Sequence, residues 1–410
     1  MTPKLRFPEF SGEWECRKLG DLDIYVSDGN YGEMYPKTSE MKDSGVAFIR
    51  ANNLKDGKLT WQDMRYIDLD LHKVLKSGHL KTGDILVTTR GDVGITAYVT
   101  EEFNNANINA QICLLRTGDD LAKQYLFYSL QTAKSKNQFT QLQTGSALKQ
   151  LPKGKLALLV IGVPSKDEQE RIAGFLTMVD ERVVAMSKKV ELLQQYKKGV
   201  MQKIFSQKLR FKDENGQNYP DWQEEKLGDA LEFARNGLSL DQNSRGVGVM
   251  VTRIETISQN RVDINKVGFV EPKGDISQYK LRIGDMLFSN INSPSQIGRT
   301  VIVDRDYDLY HGMNLLCLRV NSTHNPIFIY YVLTSNEYKQ HFEAICNKAV
   351  NQASINQSNL KKTKLVSPSK KEQQKIADFL TSLDEKLNLE KNRLEQVKLF
   401  KKSLLQRMFV

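Results

Sequence analysis

The chain has 410 residues and a formal net charge of +10 at pH 7, from 59 Lys and Arg against 49 Asp and Glu. That length accommodates two or three domains, each with its own core, and the charge favours a polyanionic partner such as DNA or RNA. The four cysteines, at positions 16, 113, 317 and 346, form no Cys-x-x-Cys pair, and the five histidines show no metal-ligand spacing, so reduced thiols are expected and neither a zinc site nor a disulfide framework.

In chain order, residues 1–163 read as a first globular domain. The opening Met1-Thr2-Pro3-Lys4 carries no apolar signal core, and no run approaches the roughly 18 apolar residues of a membrane span. A soluble, cytoplasmic chain without a membrane partner is expected. Short apolar runs such as Asp84–Thr89 and Ile95–Thr100, bounded by Gly and Asp, read as strands and turns. Ala122–Ala133 and Pro326–Ser335 have helical spacing.

Residues 164–206 form a long helix with apolar positions at Ile172, Leu176, Val179, Val183, Met186, Val190, Leu193, Val200 and Ile204. This alternation of four and three is the seam of a coiled coil, with packing on the helix's own domain as the other reading. Residues 207–367 form a second domain, and 368–410 a second such helix, with Ile376, Leu380, Leu383, Leu387, Leu394, Val397, Leu404 and Met408 on its seam. Lys197, Lys401 and Glu390 intrude on the seams, where polar residues cost stability and can fix register.

The second half repeats the first with an offset of 204 residues. Pro164-Ser165-Lys166-x-Glu168-Gln169 recurs as Pro368-Ser369-Lys370-x-Glu372-Gln373, and Ile172-Ala173-x-Phe175-Leu176-Thr177-x-x-Asp180-Glu181 as Ile376-Ala377-x-Phe379-Leu380-Thr381-x-x-Asp384-Glu385. Both halves open alike, with Leu5-Arg6-Phe7 before Trp14-x-x-x-Lys18-Leu19-Gly20-Asp21 and Leu209-Arg210-Phe211 before Trp222-x-x-x-Lys226-Leu227-Gly228-Asp229. The helices keep 17 identities in 42 aligned pairs while the domains keep only scattered ones, which suits one scaffold carrying two different reading surfaces. The expected fold is α+β: two pseudo-two-fold-related domains, each with a curved, mostly antiparallel sheet, separated by a pair of long antiparallel coiled-coil helices.

This pattern resembles the specificity (S) subunit of Type I restriction–modification systems over the whole chain. The resemblance implies a sequence-specific DNA-binding subunit whose two target-recognition domains each read one half of a bipartite, asymmetric double-stranded site. It implies that the helices set the gap and dock two modification (methyltransferase) subunits, with restriction (translocase/nuclease) subunits added. The chain would be non-catalytic by itself; its partners would bring S-adenosylmethionine, ATP and Mg for adenine methylation and DNA cleavage. The sequence agrees in lacking a Walker loop and an Asn/Asp-Pro-Pro-aromatic motif. Pro220-Asp221-x-x-Glu224-x-Lys226 is the nearest nuclease-like string, but it coincides with the repeated domain opening. The competing reading keeps the architecture and makes the chain a two-domain scaffold that does not bind DNA.

Base edges are read by Arg, Lys, Asn, Gln, Ser and Thr. In domain 1 such residues cluster at Arg50, Asn52 and Asn53; at Thr88, Thr89 and Arg90; at Asn107, Asn109 and Gln111; and at Thr144, Ser146 and Lys149. In domain 2 they are Arg253; Ser289, Asn290, Asn292 and Ser293; Asn314; and Asn351, Gln352, Ser354, Asn356 and Gln357. The same residue types serve turns through backbone hydrogen bonds. Lys58 and Arg261 occupy matched turns and suit either phosphate or solvent. Lys197-Lys198 and Lys401-Lys402 suit DNA, a partner's acidic patch or solvent. Phe175, Phe379, Phe205 and Phe409 suit either a face for modification subunits or packing on the adjacent domain.

Overall fold

A computed structural model describes residues 1–30, 35–146, 148–243, 246–349 and 352–410. The two domains share one strand order despite their sparse sequence identity. In domain 1 a four-stranded antiparallel sheet runs in the order Ile24–Asp28, Ile112–Thr117, Ile85–Thr88, Thr96–Tyr98; in domain 2 the order is Leu231–Asn236, Leu316–Val320, Met286–Phe288, Thr300–Ile302. A smaller sheet sets Val46–Ile49 antiparallel to Arg65–Ile67 and parallel to Asn107–Ile108. Its counterpart sets Val249–Thr252 antiparallel to Val267–Val270 and parallel to Leu309–Tyr310. The α+β class therefore holds, and the parallel pairs are the departures from an antiparallel design.

The central sheet of each domain is apolar on both faces, because alternate side chains of a strand point to opposite sides. In domain 1 Ile85, Val87 and Leu115 enter the core shared with the long helices, whereas Leu86, Leu114 and Ile112 enter a second core beneath the smaller sheet. In domain 2 Met286, Phe288, Leu316 and Leu318 face the helices, and Leu287 and Cys317 face away. The helical segments foreseen at 122–133 and 326–335 are Lys123–Gln131 and Pro326–Leu333. Asn325 starts the latter: its side-chain oxygen accepts from the amides of Ile327 and Phe328, and Pro326 occupies the first turn, where it forfeits no helical hydrogen bond.

The long helices span Lys166–Phe205 and Lys370–Arg407. Contacts divide the chain into two compact units, Met1–Lys188 with Lys391–Val410, and Lys189–Glu390. The division thus runs through the helices, away from the junctions at 163/164, 206/207 and 367/368. Each unit holds one domain, the beginning of the helix that follows it and the end of the other helix. Every seam position named above is buried or half-buried. The seam also packs on the domains: Ile172, Leu176, Leu404 and Met408 belong to the domain 1 core, and Val200, Ile204, Ile376 and Leu380 to that of domain 2. Both readings of the stripe are therefore satisfied at once.

The repeated motifs are clamps between helix and domain. Glu168, 1% exposed, takes a bidentate contact from Arg6 at 2.7 Å, and the buried Glu372 takes one from Arg210. Gln169 accepts from the Ala122 amide at 2.9 Å and donates to the Pro164 carbonyl at 3.0 Å; Gln373 does the same with Asn325 and Pro368. Phe175 packs edge-on against Phe7, Phe379 against Phe211, Phe205 against Phe328, and Phe409 against Trp14. Of the two readings open for these four phenylalanines, the structure thus shows packing on the adjacent domain.

Register is fixed by polar groups set into the seam. In the second unit Lys197 reaches Asp384 at 2.5 Å and Lys189 reaches Glu390 at 2.8 Å, an order that requires antiparallel helices. In the first unit Lys401 reaches Asp180 at 2.6 Å. The Tyr331 hydroxyl donates to Asp384 at 2.7 Å and that of Tyr128 to Asp180 at 2.9 Å, and burial raises the pKa of both phenols. Lys197 and Lys401 are thus committed within the chain, which removes them as candidates for DNA or a partner.

Two stability effects are expected. Lys401→Asp, which sets like charges together beside Tyr128, should lower the chemical-denaturation midpoint. Combining it with Asp180→Lys should recover part of the loss, a coupling of about 0.5–3 kcal/mol in a double-mutant cycle. Separately, Asp285 is 1% exposed and bound in bidentate fashion by Arg319 at 2.7 Å. Arg319→Ala strands that carboxylate and should cost about 3–5 kcal/mol by denaturant titration.

Candidate nucleic-acid interface

In domain 1 the foreseen polar residues meet where several segments end side by side. Arg50 follows the strand Val46–Ile49, whose last carbonyl accepts from the Asn109 amide at 2.9 Å. The Gln111 carbonyl then accepts from the amide and the hydroxyl of Thr89 at 2.7 and 3.1 Å. The Thr89 carbonyl accepts from Leu151, and Arg90 bridges to Gln150, itself paired with Thr144. Arg50, Asn109, Gln111, Thr89, Arg90 and the turn carrying Ser146 and Lys149 thereby form one continuous edge. The close approach requires glycine at 29, since a Cβ there would lie 2.3 Å from the Asn109 backbone.

Burial divides the residues of this edge by role. Asn53 is fully buried, accepting from the Arg50 amide at 3.0 Å and donating to the Thr60 and Gln62 carbonyls. Thr88 is fully buried and holds Asp92 and Ile95 through its hydroxyl. Asn107 is buried and donates to Ser77; Asn109 is buried and bonds both the backbone and the side chain of Gln111. Thr89 is buried as well. These residues shape the edge, whereas Asn52, Gln111, Ser146 and Lys149 are exposed and Arg50 and Arg90 half-buried.

Domain 2 forms the corresponding edge with different side chains. Arg253 follows Val249–Thr252, and the Thr252 hydroxyl accepts from the Gly312 amide at 2.9 Å. Met313, beside Asn314, donates its amide to Leu238, and its carbonyl accepts from the Asn236 side chain at 2.7 Å. Gln357 donates to Asn236 at 3.0 Å, and the Asn290 carbonyl accepts from Ile355 at 2.8 Å. Ile291–Asn292 then pairs with the strand Gln352–Ser354. Ser289 and Asn290 are buried; Asn292 donates to the Ser289 hydroxyl at 3.0 Å and accepts from the Ser293 amide at 2.8 Å. Asn356 caps the short helix Gln357–Lys361. Asn314, Gln352 and Asn356 are exposed, with Arg253, Asn292, Ser293, Ser354 and Gln357 half-buried. Asn351 lies outside the described residues.

Sequence reasoning missed Asn236 and Gln242. They sit on or just after a strand edge in a stretch without periodic pattern, and the signal available was Gly237, where a Cβ would lie 1.8 Å from the His311 carbonyl oxygen. Lys58 lies on the hairpin Leu54–Lys55/Lys58–Leu59 and Arg261 donates to Gln259 at 3.2 Å; both are exposed. In the nuclease-like string, Asp221 faces Arg210 at 3.4 Å and Glu224 pairs with Lys364 at 2.5 Å. Among the described residues no group of three or more His, Cys, Asp and Glu could hold a metal ion, and no helix is long and apolar enough to cross a membrane. All four cysteines are free; burial pushes the Cys113 thiol up to about 12 and raises that of Cys317 as well, so both stay protonated.

Each half thus carries the same scaffold with its own set of edge residues, and comparison with known proteins finds the same duplication. The family described as the Type I restriction modification DNA specificity domain matches twice, over residues 11–195 and 219–399, and the chain belongs to this family. A putative type I restriction enzyme MjaX specificity subunit of Methanocaldococcus jannaschii is 41% identical over 202 residues; the match spans 48% of each protein, about half the length of that relative. The MjaVIII specificity subunit of the same organism is 24% identical and covers 98% of this chain and 92% of its own. The crystal structure of a Type I restriction–modification S subunit from M. genitalium aligns over 100% of this chain and 99% of its own, with TM-score 0.61 at 17% identity. A chain from a structural study of assembly and conformational transition in the type I R-M system aligns at TM-score 0.58, over 97% of each chain at 16% identity. Both share the fold.

Lys149 is exposed on the rim of the domain 1 edge. Lys149→Ala should weaken DNA binding by a similar factor on all sequences. It should also reduce the slope of log affinity against log salt by about one, read from titrations at several salt concentrations.

Proposed function

We propose that this chain is the DNA-reading, non-catalytic subunit of a Type I restriction–modification complex, each domain reading one half of a bipartite, asymmetric duplex target. The observation that carries this reading is the duplicated polar edge: matched strands and turns present Arg50, Gln111, Arg90 and Lys149 in one domain and Arg253, Asn314, Asn292 and Gln357 in the other. One backbone with two side-chain sets suits two different base sequences, since base edges are distinguished by hydrogen-bonding pattern while phosphate contacts only position the protein. The +10 net charge supplies the attraction to a polyanion.

The helices of 40 and 38 residues are each close to 60 Å long at 1.5 Å per residue. In this proposal they set the unspecified gap between half-sites and dock two modification subunits. Those subunits bring S-adenosylmethionine and methylate an adenine in each half-site; restriction subunits bring ATP and Mg for translocation and cleavage. The active complex would reside in the cytoplasm, beside the chromosome it modifies.

The decisive experiment replaces residues 207–367 with the corresponding segment of another member of the family. The hybrid is co-expressed with the modification subunit in a methylation-free host, and methyladenine is mapped across the genome. One half of the bipartite motif should change and the other remain. A change in both halves, or in neither, would refute the division of labour, and a stable complex that leaves no methylation would refute the DNA-reading role.

A further inference from the structure

We propose that domain 2 reads a G·C base pair through Arg253, which Gln242 aligns in a cleft made possible by Gly268. This inference rests on the reading of domain 2 as a DNA-recognition domain and adds the base it selects. The cleft has a volume of about 500 Å³, and its lining includes Asp241, Gln242, Arg253, Glu255, Met313 and Asn314. Arg253 Nε donates to Gln242 Oε1, so one edge of the guanidinium is fixed by the protein. Among the described residues, no hydrogen bond or ion pair engages its two Nη groups. A guanidinium held at Nε with both terminal nitrogens available is prepared for a two-acceptor partner, and guanine presents O6 and N7 in the major groove.

Gly268 makes room for the arrangement. It lies opposite Val251 in the antiparallel pairing, and a Cβ on it would sit 2.2 Å from Gln242 Oε1 and 2.9 Å from Arg253 Nε. At the same register position domain 1 has Arg65, opposite Phe48. There the equivalent Arg50 donates through Nη2 to the Asp63 carbonyl, which occupies part of its fork. Domain 2 alone of the two therefore presents this arginine with both Nη groups uncommitted.

The surrounding charge favours a base pair over the backbone. Asp241 and Glu255 are exposed on the cleft lining, where they repel a phosphate but can accept from the N4 amino group of cytosine. Arginine with nearby carboxylates matches the acceptor and donor sides of one G·C pair.

The test uses the complex of this chain with its modification subunit, methyladenine mapping in a methylation-free host, and three variants: Arg253→Lys, Gln242→Leu and Gly268→Ala. Wild-type methylation should show a G·C pair at a fixed position of the half-site assigned to domain 2. Arg253→Lys keeps the charge and loses the fork, and should relax selection at that pair by about 5-fold to 150-fold. Gly268→Ala retains the arginine but displaces the flexible ends of Gln242 and Arg253, so it should relax the same position, as should Gln242→Leu. The domain 1 half-site should remain unchanged in all three variants, which shows that the variants fold and assemble. A domain 2 half-site without a G·C pair, or an Arg253→Lys complex with an unchanged motif, would overturn the assignment. A uniform loss across all sites would identify a phosphate or structural role and would overturn it too. Absence of methylation by the wild-type complex would instead strike at the underlying DNA-reading proposal, and this assignment would fall with it.

Discussion

The structure depends on the crossed contact between the two long helices, in which the aspartate of one repeat meets the lysine of the other. Asp180 binds Lys401 and Asp384 binds Lys197, each with a tyrosine hydroxyl of its own domain as third partner. An apolar seam alone is tolerant of sliding by a heptad. A partly buried charge is not, because a shifted register would leave it desolvated without a partner. The pair also ties helix register to domain position, since Tyr128 and Tyr331 belong to the domain helices Lys123–Gln131 and Pro326–Leu333.

From this follows the way each domain completes its core. Leu404 of the second helix and Met408 just after it lie in the domain 1 core, and Val200 and Ile204 of the first helix in that of domain 2. The Leu5 amide donates to the Arg407 carbonyl at 2.8 Å, so the start of the chain is anchored to the end of the second helix; Leu209 donates to Lys203 where the chain is continuous. The Leu-Arg-Phe and Trp motifs thus serve the same junction twice, once across the chain's two ends and once within it. This explains why the repeated residues concentrate at the helices and their footings: each must satisfy the same buried partners in both units.

Above these footings the constraint changes from packing to presentation. The central sheets are apolar on both faces, so they hold strand ends rigidly. Asn53, Thr88 and Asn109 are spent on backbone groups, and the buried Ser289 hydroxyl on the Asn292 side chain. Once those positions are committed, neighbours such as Asn52, Gln111, Asn314 and Gln352 can vary without disturbing the scaffold. Two unlike polar edges on one strand order are the physical result.

Much of this was legible in the sequence. The 204-residue offset, the seam spacing and the polar clusters gave the number of domains, the long helices, the α+β class and the segments that form the edges, because periodicity and repetition are local properties of a chain. Tertiary structure decided what each repeated residue meets. The seam spacing places Lys197 and Lys401 between the helices, but only the fold shows Asp384 and Asp180 beside them, and of the two readings open for Phe205 and Phe409 the contacts with Phe328 and Trp14 select packing on the adjacent domain. Likewise Asn52 and Asn53 are adjacent and chemically alike, yet one is exposed and the other fully buried. The sequence determined which residue types were available at each edge; only the fold, by bringing distant segments within hydrogen-bonding distance, decided which of them remain free to face a partner.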